Sequence, residues 1–348
     1  MNAPSTMYFI KRLITVLSLL ATGCFATERP NIVFIYADDL GYGDVACYNR
    51  ESKVPTPNLD RLAAEGIHFT DAHSPSTVCT PSRYGVMTGR MPFRNGQKGV
   101  FLGVDGPCLI EAERLTLPEM LQQSGYTTAL FGKWHLGMTF QTADGTPVHK
   151  AKLPPPESKL DRAGIRRIRV VDFSKRITDG PIDQGFDQFY GTVSCPTTDW
   201  FYAFVENDRV PVPPSMDQIS THDDLPEHPY AVCRPGLVAP NFDFEEIDMI
   251  FLQQSQAFLR EHVKNQPNKP FFLFHSAQAV HLPSFPGRDF KGKTEAGPHG
   301  DFIFQFDHIV GELEATLKEL GVADNTLIIV SSDNGPEVST VFQMRQDH

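Results

Sequence analysis

The sequence is short of positive charge, of long apolar runs and of repetition, and each shortage narrows what the protein does. Its 31 lysines and arginines are outnumbered by 42 aspartates and glutamates, giving a net charge of −11. Neutralising a phosphate backbone needs a positive surface, so the balance argues against a nucleic-acid partner. Anionic substrates need only local positive groups and are not excluded. The apolar stretch 13–21 falls short of the roughly 20 residues that cross a bilayer and no other segment comes closer, so no integral membrane segment is expected. No internal repeat is visible.

Cysteine is also sparse, at six in 348 residues. Lys11 and Arg12 precede the apolar stretch and a small-residue exit lies near Ala26, so residues 1–26 read as a signal peptide and residues 27–348 as an exported, periplasmic or secreted, domain. Cys24 is a candidate lipid-attachment residue, but the spacing of Leu20 fits such a box poorly, which makes a lipoprotein the secondary expectation. Cleavage after Ala26 removes Cys24 and leaves an odd number of cysteines, hence one without a partner. Cys79 suits that part. Cys47, Cys108, Cys195 and Cys233 are then either paired in up to two disulfides or buried thiols, and the sequence does not choose.

What is present is a 41% hydrophobic chain with room for a large core. Its length alone suggests roughly two domains; the element order favours one large α/β unit. Asn31–Ala37 is a continuous apolar run of the buried parallel-strand type, ending at Asp38-Asp39. Thr56, Pro57 and Gly66 bracket a helix. Thr116-Leu117-Pro118-Glu119 reads as a capping box before a short helix stopped at Gly125, followed by a strand over 126–131 that runs into Gly132-Lys133-Trp134-His135. Residues 140–240 carry many prolines and little periodicity, which predicts long ordered loops with short elements. A helix over 243–262, a strand over 270–274, a helix over 301–320 and a strand over 327–330 follow. Strands alternating with helices predict a mostly parallel central sheet with helices on both faces. Asp38-Asp39, Lys133 with His135, the turn from His275 to His281 and Asp333-Asn334 all follow predicted strands, so they should converge on one carboxyl edge, where ligands of open α/β sheets bind.

Asp38, Asp39, Asp333 and Asn334 offer only oxygen ligands, which suits calcium or, less well, magnesium. Each pair also reads as a turn signal. Lys133 and His135, two apart, share a side if the segment is extended. Arg83, four residues beyond Cys79, lies about one helical turn on, and a helix starting near Ser82 would aim backbone donors at an anion. Arg162, Arg166, Arg167 and Arg169 form a basic cluster, either a solvated segment or a contact for a polyanion.

The run Cys79-Thr80-Pro81-Ser82-Arg83, followed by Tyr84-Gly85-Val86-Met87-Thr88-Gly89-Arg90, resembles the signature of the sulfatases, members of the alkaline phosphatase superfamily. The resemblance extends to Asp38-Asp39-Leu40-Gly41-Tyr42-Gly43, to residues 132–137 and to Ser332-Asp333-Asn334-Gly335, and so to essentially all of residues 29–337. It implies arylsulfatase-like, calcium-dependent hydrolysis of sulfate esters, with Cys79 oxidised by a maturation enzyme to formylglycine (3-oxoalanine), whose hydrate is the nucleophile and also a calcium ligand. It assigns Arg83 to steadying that hydrate, and Lys133 and His135 to the sulfate and formylglycine oxygens, the histidine assisting breakdown of the sulfated intermediate. His281, rather than a structural His275, is the sulfate-binding histidine, and Ser194 resembles a supporting position for substrate. The substrate is then a sulfated small molecule or glycan. A phosphodiesterase or phosphonate monoester hydrolase of the same superfamily is the alternative. The family's later glycine-rich segment with a further sulfate-binding lysine, and its smaller antiparallel carboxyl-terminal sheet, have no counterpart before His348, so the expectation is a truncated chain, active or reduced to a glycan-binding remnant.

Overall fold

The computed structural model describes residues 29–227 and 232–337. The signal segment, Cys24 and the closing residues 343–348 lie outside them. From Asn31 onward the chain clusters as one unit.

Among the described residues eight strands form: β1 (Asn31–Ala37), β2 (Thr127–Lys133), β3 (Gln188–Thr192), β4 (Phe201–Tyr202), β5 (Val205–Glu206), β6 (Leu237–Val238), β7 (Phe271–Ser276) and β8 (Thr326–Ser332). The main sheet has the order β5-β3-β2-β7-β1-β8, and β4 pairs with β6 separately. All neighbours in the main sheet run parallel except β5, which pairs antiparallel with β3 at one edge. The α/β architecture expected from the element order is thus present.

Alternation along the strands sorts the core into two halves. Val33, Ile35 and Ala37 of β1, Ala129 and Phe131 of β2, and Phe271 and Leu273 of β7 belong to one buried cluster; Tyr36, Leu130, Phe272 and Phe274 belong to the other. Six described helices cover the two faces: α1 (Pro57–Glu65), α2 (Cys79–Thr88), α3 (Leu117–Gln123), α4 (Ala163–Arg169), α5 (Ile247–Asn265) and α6 (Gly297–Glu319). Leu59 of α1, Leu252 and Leu259 of α5 and Phe302, Phe306, Ile309, Leu313 and Leu317 of α6 fill the first half. Tyr84 and Met87 of α2, Leu121 of α3 and Ile165 and Ile168 of α4 fill the second.

Local chemistry explains several boundaries and corrects others. The capping box at α3 forms, with Glu119 N donating to Thr116 Oγ1 at 3.2 Å and Thr116 N to Glu119 Oε2 at 2.8 Å. Thr56 precedes α1 but does not cap it: its hydroxyl accepts from Ala46 N at 3.0 Å and donates to Asp60 Oδ1 at 3.2 Å. Helix α2 begins at Cys79, three residues before the expected Ser82. Pro81 does not oppose this, because the amides of a first turn have no intrahelical partner to lose. Strand β3, inside the proline-rich region read as loops, joins the main sheet against β2, where its short run is stabilised by pairing rather than by local pattern. Gly132 has φ +125, and a Cβ there would lie 1.8 Å from Ser276 O, so only glycine lets β2 approach β7 at the point where the site begins.

Candidate active site

The five parallel strands share one carboxyl edge, and the polar residues gather there. Asp38 and Asp39 follow β1, Lys133 ends β2 with His135 two residues on, Ser194 and Cys195 follow β3, the loop to His281 follows β7, and Asp333 and Asn334 follow β8. The sheet order brings together residues separated by up to 295 positions, as in the hydrogen bond of Asn334 Nδ2 to Asp39 Oδ1 at 2.5 Å.

Asp38, Asp39 and Asp333 are buried, and each offers a carboxylate oxygen within 4.8 Å of the others. Asp39, at φ 64, turns its amide to donate to Asp333 Oδ1 at 3.1 Å. Burial raises the Asp333 carboxyl well above the usual range, and the neighbouring Asp38 charge raises it further, with Arg83 countering. Burial would raise Asp38 too, but Lys133, His281 and Arg83 outweigh it and keep Asp38 charged. Asp38 Oδ1 and Asn334 Oδ1 are buried and accept no hydrogen bond. Crowded carboxylates with unsatisfied oxygens fit a hard cation of the calcium type, whose charge would relieve their repulsion.

Lys133 and Arg83 both contact these carboxylates. Lys133 Nζ, fully buried, donates to Asp38 Oδ2 at 2.5 Å. Arg83 contacts Asp333 Oδ2 through Nε at 3.1 Å and Nη2 at 2.9 Å, pairs with Asp38 Oδ1 at 3.5 Å, and donates through Nη1 to Lys133 O at 2.9 Å and Ser276 Oγ at 2.6 Å. Its guanidinium carbon sits 5.4 Å from the Tyr36 ring centre. Ser276 Oγ donates in turn to Lys133 O at 2.7 Å. Arg83 is therefore held by five residues.

Cys79 opens α2 with its side chain buried, and its sulfur lies within 4.8 Å of donor atoms from Asp38, Cys195 and His281. A hydrogen bond to Cys195, with burial and Asp38 adding to it, pushes the Cys79 thiol up to about 11. The same bond is the leading cause that holds Cys195 well below the ordinary thiol range against burial, helped by His281 and Lys133. Cys47, Cys79, Cys108, Cys195 and Cys233 are all free thiols in the structure, the second of the two alternatives left open by the sequence.

His135 also sits at positive φ, 59, so its approach to the site does not come from extended spacing beside Lys133; the main-chain bond of His135 N to Val193 O at 2.9 Å sets it instead. His135 Nε2–H donates to Phe101 O at 2.6 Å, which leaves Nδ1 facing the cysteines, 3.9 Å from Cys195 Sγ. Burial, reinforced by Lys133, lowers its pKa to about 4. His281 Nδ1–H donates to Leu282 O at 2.5 Å, and Nε2 lies 3.5 Å from Cys195 Sγ and 3.7 Å from Asp39 Oδ2. Burial would lower His281, but Cys195, Asp39 and Asp38 raise it well above the ordinary value.

One candidate lies elsewhere. Ser194 Oγ turns to Asp199 Oδ2 and accepts from Gly103 N at 3.3 Å, while its neighbour Cys195 faces the cluster. His275 bonds Ser255 Oγ at 2.8 Å through Nδ1, within the core. The arginines of α4 are largely committed locally: Arg167 to Asp105 at 2.8 Å, Arg169 to Glu157 and to Asp161 at 3.8 Å, and Arg166 to Pro154 O at 2.8 Å. Sequence reading had no signal for Ser276 or Tyr36, and it passed over Cys195 although the thiol adjoins Ser194.

With this geometry in view, comparison with known proteins is direct. Residues 30–347 match the family described as Sulfatase, and the chain belongs to that family. It is 32% identical over 329 residues to the N-acetylgalactosamine-6-O-sulfatase of Bacteroides thetaiotaomicron, a match covering 91% of this chain and 61% of that protein. It is 34% identical over 323 residues to arylsulfatase A of Homo sapiens, covering 93% of this chain and 55% of the relative. A solved structure from work on the metabolism of multiple glycosaminoglycans by Bacteroides thetaiotaomicron (BT33336S-sulf) superposes with a TM-score of 0.72 at 29% identity, covering 92% of this chain and 67% of the other. The chain thus spans between about half and about three-fifths of the curated relatives it matches.

Proposed function

We propose that this chain carries the catalytic centre of an exported sulfate-ester hydrolase, in which residue 79 works as formylglycine and Asp38, Asp39, Asp333 and Asn334 hold calcium. The observation that carries the reading is the convergence of the Cys79 helix start with two buried cations, two buried histidines and three crowded carboxylates. The name of the bacterial relative, an N-acetylgalactosamine-6-O-sulfatase, supports a sulfated sugar as substrate.

Formylglycine at position 79, as its hydrate, would supply two hydroxyls, one of them a nucleophile for the sulfate ester. Calcium supplies positive charge against the sulfate oxygens. The protein's own groups do the rest. Lys133 Nζ, fixed on Asp38, contributes a buried cation where anionic oxygens collect, an arrangement effective because the site excludes water. Arg83 orients Asp333 and Asp38 from below. With His135 Nε2–H committed to Phe101 O, its Nδ1 is the acceptor for a proton from residue 79. Charged by its neighbours, His281 presents Nε2–H to a sulfate oxygen or to the leaving oxygen.

The test compares matched sulfate and phosphate esters of one leaving group, using full-length protein in which mass spectrometry finds formylglycine at position 79. Preferential, calcium-dependent turnover of the sulfate ester is expected. Preference for the phosphate ester would move the chain to the phosphodiesterase reading, and tight binding of a sulfated glycan without turnover would leave it a binding protein.

A further inference from the structure

We propose that while Cys79 remains a cysteine, the same cavity is a tetrahedral zinc site built from Cys79 Sγ, Cys195 Sγ, His281 Nε2 and a carboxylate oxygen of Asp38. One donor atom from each residue lies within 4.8 Å of the others, and all four residues are buried. Two thiolates, an imidazole and a carboxylate are a zinc donor set, not a calcium one.

The spacing agrees with the metal. With Zn–S of about 2.3 Å and Zn–N of about 2.0 Å at a tetrahedral angle, sulfur and nitrogen stand about 3.5 Å apart. Cys195 Sγ and His281 Nε2 are 3.5 Å apart in the structure. The outer support is present as well: His281 Nδ1–H donates to Leu282 O at 2.5 Å, so Nε2, once its proton is released, is the nitrogen offered to a metal, the arrangement found around ligating histidines. Asp38 Oδ1 is buried without a hydrogen bond. The two sulfurs lie within 4.8 Å of one another, so they need little movement to share one ion. Zinc uptake releases to solvent the protons that the thiols still carry and the proton on His281 Nε2, so that each donor meets the metal with a free lone pair.

Replacing the Cys79 sulfur by oxygen would remove one of two thiolates and leave oxygen donors dominant. Conversion of residue 79 would therefore exchange a soft-metal site for a hard-metal site. That consequence rests on the proposed maturation; the zinc site itself does not.

Full-length protein with Cys79 shown by mass spectrometry to be unconverted would be titrated with Co2+ and then Zn2+. One equivalent of Co2+ should give a thiolate-to-cobalt charge-transfer band and the intense visible absorption of tetrahedral cobalt, both removed by one equivalent of Zn2+. Cys195→Ser should weaken Zn2+ binding at least about tenfold and cut the charge-transfer intensity to about half, the share of the remaining Cys79 thiolate, without changing the circular dichroism. Where that variant does not fold, His281→Gln should weaken Zn2+ binding by a similar factor while keeping the charge-transfer band of the two thiolates. A weak, six-coordinate cobalt spectrum insensitive to Cys195→Ser would put the metal among the carboxylates and overturn the proposal, as would the absence of binding. Ester turnover plays no part in this test, so its failure is separate from failure of the hydrolase reading.

Discussion

The Arg83 guanidinium and the Asp333 carboxylate meet through one oxygen, with Nε 3.1 Å and Nη2 2.9 Å from Oδ2, and both side chains are buried. Residues 250 positions apart are thereby locked beneath the site. Truncating one partner leaves the other charge buried and uncompensated, which costs about 3–5 kcal/mol. Arg83→Ala should lose that much stability in urea unfolding. Arg83→Ala combined with Asp333→Asn should recover part of it, since the orphaned charge is then absent. Equal stability of the two variants would show that the pair is not the source of the loss.

Asp39 and Asn334 test the cation reading. If a hard cation occupies the carboxylate cluster, calcium at a hundred times its dissociation constant should stabilise the protein by about 2.7 kcal/mol. Chelation should lower the melting temperature, and Asp39→Asn should blunt the calcium response. A melting temperature indifferent to chelator and calcium would count against the site.

His275 predicts a pH effect on folding independent of the active site. Burial lowers its pKa to about 3, against an ordinary value of 6.5. The unfolded chain therefore takes up the proton first as pH falls. The contribution of neutral His275 is complete above about pH 6.5 and declines toward pH 3, by about 1.4 kcal/mol per pH unit where the unfolded form is protonated and the folded form is not. Urea-derived stability of His275→Asn should fall less steeply between about pH 6 and pH 4 than that of the parent chain. Parallel slopes would mean that His275 takes up protons alike in both states.

Much of the scaffold was legible because its signals are local. The apolar run at Asn31–Ala37 becomes β1, the Thr116–Glu119 box starts α3, and the polar residues after predicted strands lie along one sheet edge. The misses have local causes too. The helix expected from near Ser82 starts at Cys79, with Pro81, at home in a first turn, as its third residue. Strand β3 carries too short a pattern to stand out without its partner β2.

The sequence by itself determined which chemical groups are available: a cysteine ahead of a helical arginine, oxygen donors after two strands, and a lysine and histidine after a third. Periodicity, caps and strand ends report on neighbours a few residues away, so these features could be read without coordinates. Only the tertiary structure decided that Cys195 rather than Ser194 faces Cys79, that Ser276 and Tyr36 brace Arg83, and that Asp38 is shared between Lys133 and Arg83. Those contacts depend on the order in which parallel strands pack side by side. Residues so far apart in the chain leave no local trace of that order.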